Sequence, residues 1–207
     1  MTSRASPRAT DNLLALAVLA YLTRGPAHAY KLSRMLRDHG DDRSIRFKHG
    51  SLYMVVRQLA KAGLIEELGT DRESRRPERT TYALTEAGQR ELAAWLRELV
   101  EQPHHEYPRF VAGLAFIAAL APAEVARLLE HRLGRLAEER TSIQELIDSA
   151  LASGVHPLFL VEEEYRVALL DADARFVRDF LGRIADPKAG WAAAWNELHT
   201  QPQRSLP

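Results

Sequence analysis

The stretch His49-Gly50-Ser51-Leu52-Tyr53-Met54-Val55-Val56-Arg57-Gln58-Leu59-Ala60-Lys61-Ala62-Gly63-Leu64-Ile65 decides the fold of the N-terminal half. Leu52, Val55, Val56 and Leu59 recur at i, i+3, i+4 and i+7, the spacing of one face of an α-helix. Gly63 stands where a helix C-terminal glycine belongs. The predicted helix runs from about His49 to Ala62, and its other face carries Ser51, Met54, Arg57, Gln58 and Lys61. Tyr53 lies at the border, where a half-buried core aromatic and a solvent-facing ring are both consistent with the spacing. The face has few acids, and Lys48 and His49 lie at its N-terminal end. Plain solvation explains such a face as well as anion binding does.

Two helices are expected upstream. Leu13 to Leu22 is apolar nearly all round and reads as a short buried helix capped by Thr10 or Asp11. Gly25-Pro26 breaks it. The second spans roughly His28–His39, with Tyr30, Leu32, Met35 and Leu36 as its apolar stripe and Lys31, Arg34 and Arg37 beside it.

Downstream the period changes. Leu64 to Leu68 and Thr80 to Leu84 read as two strands, joined by a polar tip that holds Arg72, Arg75, Arg76 and Arg79. Arg79 could instead pair with Glu66 or Glu67 as a strand-end ion pair. A fourth helix follows Thr85, its expected N-cap, with Leu92, Trp95, Leu96 and Leu99 as stripe. A helix about 10–12 Å across fits the major groove of B-DNA, and an arginine-rich loop beside it can reach the backbone or the minor groove.

Charge supports that direction. The 28 basic and 28 acidic residues cancel over the 207-residue chain. Residues 1–100 nevertheless hold 17 Lys+Arg against 12 Asp+Glu, and residues 101–207 hold 11 against 16. A cationic half suggests a large anion as partner. Cysteine is absent, which removes thiol catalysis, disulfides and cysteine-ligated metals. The longest apolar run, ten residues, is half what a membrane-spanning helix requires, so a protein of the cytoplasm without a membrane partner is expected.

These elements resemble the PadR family of winged-helix transcriptional regulators. The resemblance is carried, in order, by Leu13 to Leu22, Gly25-Pro26-Ala27-His28-Ala29-Tyr30-Lys31-Leu32, Gly50-Ser51-Leu52-Tyr53, Leu59-Ala60-Lys61-Ala62-Gly63-Leu64-Ile65, and Arg76-Pro77-Glu78-Arg79-Thr80-Thr81-Tyr82-Ala83-Leu84-Thr85-Glu86-Ala87-Gly88. The family usually has Gly at Ala29 and Pro at Met54. The resemblance implies that the third helix is the recognition helix and the hairpin the wing. It also implies a DNA-facing set of Tyr30, Lys31, Lys48, Ser51, Tyr53, Arg57, Arg72, Arg75, Arg76 and Arg79. Tyr30, Lys31 and Tyr53 would hold phosphates; Ser51 and Arg57 would read base edges.

The C-terminal half reads as long helices. Glu101 to Pro108 is a linker, Phe110 to Leu120 a short apolar helix, and Pro122 to about Ala152 a long helix carrying Leu129, Leu133, Leu136, Ile143 and Ile147. A second long helix, Phe159–Ile184, carries Tyr165, Leu169, Ala172, Phe176, Phe180 and Ile184. A self-contained helical domain is one outcome of this pattern. The other is a homodimer built on Leu129, Leu133, Leu136, Tyr165, Leu169, Phe176 and Phe180. Trp191 and Trp195, at i, i+4 on a final helix Pro187–His199, either pack that helix or, with Trp95, line an effector cavity.

The expected fold is therefore mostly α with a small β-hairpin. A winged helix-turn-helix domain occupies residues 1–100, a linker 101–108, an antiparallel helical dimerisation and effector domain 109–199, and a disordered tail 200–207. The expected function is that of a homodimeric repressor on an inverted-repeat operator with half-sites roughly 34 Å apart. The resemblance implies release by a small apolar or aromatic effector and an efflux or detoxification gene as target. An enzyme is not expected: there is no phosphate loop, nucleophile elbow or His-Glu-x-x-His, and Glu162-Glu163-Glu164 reads as a charged helix face. No cofactor is expected. The alternatives are a helical adaptor and a metal-responsive regulator, the latter suggested by His104-His105-Glu106.

Overall fold

The computed structural model describes residues 12–45, 49–71, 79–188 and 191–200. The chain divides into two compact units, Met1–His105 and Glu106–Pro207.

In the first unit α1 (Leu13–Leu22) is capped by Asn12, whose side chain accepts from the Leu14 N–H at 3.0 Å. The cap is thus Asn12 rather than the expected Thr10 or Asp11, which lie outside the described residues. Seven of its ten residues are buried. They meet α2 (Ala29–Asp38), α3 (His49–Lys61) and α4 (Glu86–Glu101), so the all-round apolarity of α1 is accounted for inside its own unit. Leu14, Leu19, Leu32, Leu36, Leu52 and Leu59 are wholly buried in one core. Each such side chain contributes about 1.5–3 kcal/mol on burial.

The turn after α3 is a Schellman motif. Leu64 N–H bonds to the Leu59 carbonyl and Gly63 N–H to the Ala60 carbonyl, both at 3.0 Å, with Gly63 at φ +70°. The left-handed backbone there explains the glycine. It turns the chain into β2 (Ile65–Asp71), which pairs antiparallel with β3 (Arg79–Leu84). The expected hairpin gains a third strand: β1 (Ala27–His28) pairs with the free edge of β3, giving the order β1-β3-β2. A bulge between Glu67 and Gly69 leaves Leu68 unpaired and exposed. Thr85 caps α4, accepting from the Gly88 N–H at 3.0 Å. α4 runs on to Glu101, so the first residue of the expected linker is helical.

The second unit contains α5 (Arg109–Ala115), α6 (Pro122–Ala152), α7 (Val161–Ala185) and α8 (Trp191–Thr200). The expected helix Phe110–Leu120 is α5 followed by a 3-10 turn, Ile117–Ala119, and α8 begins at Trp191 rather than Pro187. Helices α6 and α7 form an antiparallel hairpin around a second Schellman turn, with Gly154 at φ +84°. Two apolar clusters hold the hairpin. One is built on Val125, Leu129, Val177, Phe180 and Ile184, the other on Ile143, Ile147 and Leu160. Two interhelical ion pairs, Arg132–Asp173 and Arg140–Asp171, also join the helices. Arg132 additionally lies over the Phe110 ring, 3.6 Å from its centroid. Glu163 departs from the expected charged face: it is buried, with Arg166 Nε 3.3 Å from its carboxylate.

The proposed interface stripe divides. Leu129, Leu136 and Phe180 are buried within the single hairpin and Leu133 is half-buried, whereas Tyr165, Leu169 and Phe176 are exposed. An α-helix turns 100° per residue, so a near-heptad path drifts about 20° per heptad across its surface. The early members of the α7 stripe therefore face outward and its last members face α6.

Candidate nucleic-acid interface

The start of α2 is built by a histidine cap. His28 Nδ1 accepts the Lys31 N–H at 3.0 Å, while the His28 backbone belongs to β1 opposite Thr81. An accepting Nδ1 requires the tautomer with the proton on Nε2. The wing strand thus anchors the turn that presents Tyr30 and Lys31, both exposed to solvent. Sequence reading missed this strand, because two residues carry no alternation; only pairing with β3 makes them a strand.

Helix α3 turns Leu52, Val55, Val56 and Leu59 into the core and presents Tyr53, Met54, Arg57 and Gln58 outward. Tyr53 is 47% exposed, so its ring is not a core aromatic. Ser51 is half-buried at the edge of this face. No Asp or Glu occurs anywhere in α3. Met54, 62% exposed, is a feature that the candidate set omitted. The signal for it was present: an apolar side chain on an otherwise polar face.

Arg57 has a second environment. With Ala60, Lys61 and Thr85 it lines a shallow cleft whose other wall is Ile65, Glu66 and Glu67 of β2. Tyr82, the cross-strand partner of Glu67, is buried at the base of the wing. Burial pushes its phenol above the ordinary value; the Glu67 carboxylate adds to the shift and Arg57 opposes it. The guanidinium is thus placed between the outward face of α3 and the acids of the wing base.

Among the wing arginines, the register sets Arg79 opposite Asp71, while Glu66 faces Ala83 and Glu67 faces Tyr82. Glu66 and Glu67 are therefore not the cross-strand neighbours of Arg79. Lys48, Arg72, Arg75 and Arg76 lie outside the described residues.

The three candidate tryptophans fall in two units. Trp95 is packed in the core of the first. In the second, Trp195 stacks on Phe180 and its indole N–H donates to the Leu120 carbonyl at 3.0 Å. Trp191 meets the same Phe180 edge-on and stays partly exposed. Among the described residues no three His, Asp or Glu side chains are grouped to hold a metal ion, and no helix is long and apolar enough to cross a membrane.

Comparison with known proteins agrees with this architecture. The chain is 27% identical over 143 residues to the negative transcriptional regulator PadR of Bacillus subtilis (strain 168), covering 67% of this chain and 77% of that protein. The crystal structure of B. subtilis PadR in complex with operator DNA superposes with a TM-score of 0.60 at 21% identity, over 80% of this chain and 99% of that one. The structure of B. subtilis PadR in complex with p-coumaric acid superposes with a TM-score of 0.58 at 20% identity, over 84% and 99%. Residues 18–94, which run from α1 through the wing into α4, match the transcriptional regulator PadR-like family. A winged helix with an acid-free outward face on α3 thus underlies the likeness: over residues 18–94 this chain is similar to the PadR-like family of transcriptional regulators.

Proposed function

We propose that the chain is a homodimeric repressor that binds an inverted-repeat operator and is released by a small apolar or aromatic compound. The observation that carries the DNA-binding part is the solvent-facing set of Tyr30 and Lys31 on α2 with Tyr53, Met54 and Arg57 on α3, the latter a helix without a single acid. In this reading Tyr30, Lys31 and Tyr53 hold phosphates and fix register. Ser51 and Arg57 read base edges, and Met54 offers an apolar contact to a thymine methyl. Lys48 and the wing arginines Arg72, Arg75, Arg76 and Arg79 supply electrostatic affinity.

The dimer reading is supported by α7. Val161, Tyr165, Leu169 and Phe176 are exposed and fall on one side of that helix. A second copy is the proposed cover. For the effector, the aromatic group Phe110, Phe176, Phe180, Trp191 and Trp195 is the proposed seat, and Trp95, used in the core of the first unit, is left out of it. B. subtilis PadR has been crystallised with operator DNA and with p-coumaric acid, and partners of those two classes are proposed here. Efflux or detoxification genes are the proposed targets.

Selection from a random duplex pool, followed by binding measured across salt concentrations, tests the proposal. A DNA regulator enriches a paired-half-site motif and binds it with a steep salt dependence. Absence of an enriched motif overturns it.

A further inference from the structure

Twenty residues separate Tyr21, in the last turn of α1, from Asp41, and the fold brings them into contact. The Tyr21 ring is buried, and its hydroxyl donates to Asp41 Oδ2. Asp41 opens the short 3-10 turn Asp41–Arg43 that carries the chain from α2 toward α3. Its carbonyl accepts the Ser44 N–H at 3.0 Å and the Ile45 N–H at 2.7 Å, and Ile45 packs against the core. The turn itself is reached through Gly40 at φ +72°. Around the tyrosine, His39 stands edge-on at 5.6 Å between centroids, held by its Nδ1 at 2.9 Å from the Met35 carbonyl. Arg24 lies over the Tyr21 ring, with one guanidinium nitrogen 3.4 Å from His39 Nε2.

We propose that Tyr21 and Asp41 are positioning residues for DNA recognition: the phenol of α1 pins the turn that delivers α3, and so sets the aim of its outward face. Neither residue presents a group to DNA in the arrangement described above. The inference rests on the DNA-binding reading, since a turn needs aiming only if α3 has a target. The physical argument is one of leverage. A hydrogen bond to a carboxylate is stronger than one between neutral groups, and this one ties the turn to the most buried helix of the unit. Base readout requires side-chain donors held within a few tenths of an ångström, whereas attraction to phosphates tolerates looser placement.

The test uses the full chain with Tyr21→Phe, Asp41→Ala and Asp41→Asn. Phenylalanine keeps the ring between His39 and Arg24, and asparagine keeps an acceptor for the phenol. Backbone hydrogen exchange is read at residues 41–45. Binding is measured on the duplex that the wild-type chain enriches from a random pool, and on an unselected duplex of equal length. In Tyr21→Phe and Asp41→Ala, exchange at 41–45 is expected to quicken about tenfold while that of α1 and β3 is unchanged. The ratio of selected to unselected affinity is expected to fall about tenfold. Asp41→Asn should restore most of both. Unchanged exchange in Tyr21→Phe overturns the pinning of the turn. Equal loss on both duplexes, or no rescue by asparagine, overturns the positioning role. A wild-type chain that enriches no sequence overturns the DNA-binding reading and with it the consequence for recognition, while the exchange result still decides the pinning.

Discussion

A Cβ placed on Gly88 would stand 2.1 Å from the carbonyl oxygen of Leu64 and 2.7 Å from Cδ1 of Leu84. The first turn of α4 therefore lies directly on the entry to β2. Thr85 completes the junction: its hydroxyl lies 2.8 Å from the Gly63 carbonyl and 3.0 Å from that of Leu64, and its N–H bonds to Leu64 at 3.2 Å. One residue thus caps α4 and ties it to the base of the wing.

Gly88→Ala should cost about 2–4 kcal/mol, because the obstructing atom is backbone and cannot swing away. Gly134, in the interior of α6, has nothing within 4 Å of its notional Cβ. Gly134→Ala should stabilise the second unit by about 0.5–1 kcal/mol through helix propensity alone. Urea denaturation of both variants checks the pair. A mild effect at Gly88 would mean that the wing base yields where it is expected to be rigid.

The two ion pairs of the helical hairpin should differ in worth. Arg132 and Asp173 have side chains only 32% and 24% exposed, and Arg132 is also stacked on Phe110. Arg140 and Asp171 are each 44% exposed. Asp173→Ala should cost about 2 kcal/mol, since it strands a half-buried guanidinium, and Asp171→Ala less than about 1 kcal/mol. Double-mutant cycles in denaturant give the coupling of each pair. Equal couplings would show that burial does not separate them.

On DNA, Arg75→Ala with Arg76→Ala should lower the slope of log affinity against log salt by roughly two units, near 0.9 for each lost phosphate contact. Arg57→Ala should cost about 1–3 kcal/mol and relax preference at one base pair. The acids Glu66 and Glu67 beside Arg57 compete for its charge, so Glu67→Gln should raise affinity for unselected DNA. Titrations of selected and single-base-substituted duplexes at several salt concentrations check all three. Uniform weakening by Arg57→Ala across every base substitution would demote it to a phosphate contact.

Sedimentation decides the oligomeric state. The chain has a mass of 23.3 kDa, and the dimer should sediment at about twice that. Leu169→Glu, on the exposed side of α7, should return it to the monomer without loss of helical signal. A wild-type monomer at micromolar concentration sinks the dimer and the inverted-repeat operator together.

By itself the sequence determined the local features, because their causes lie within a few residues. The Leu52/Val55/Val56/Leu59 stripe, the left-handed Gly63, the Thr85 cap and the long C-terminal helices follow from helical periodicity, turn sterics and capping. The order of these elements also sufficed to indicate a winged helix. Tertiary structure alone decided what depends on partners distant along the chain. It made Ala27–His28 a strand by offering the edge of β3, brought Tyr21 to Asp41, and set Arg57 beside Glu67. It also divided the α7 stripe, turning Phe180 inward and leaving Tyr165, Leu169 and Phe176 outside. Spacing along a helix fixes which residues share a side, but the neighbour that covers that side is chosen by packing of the whole chain.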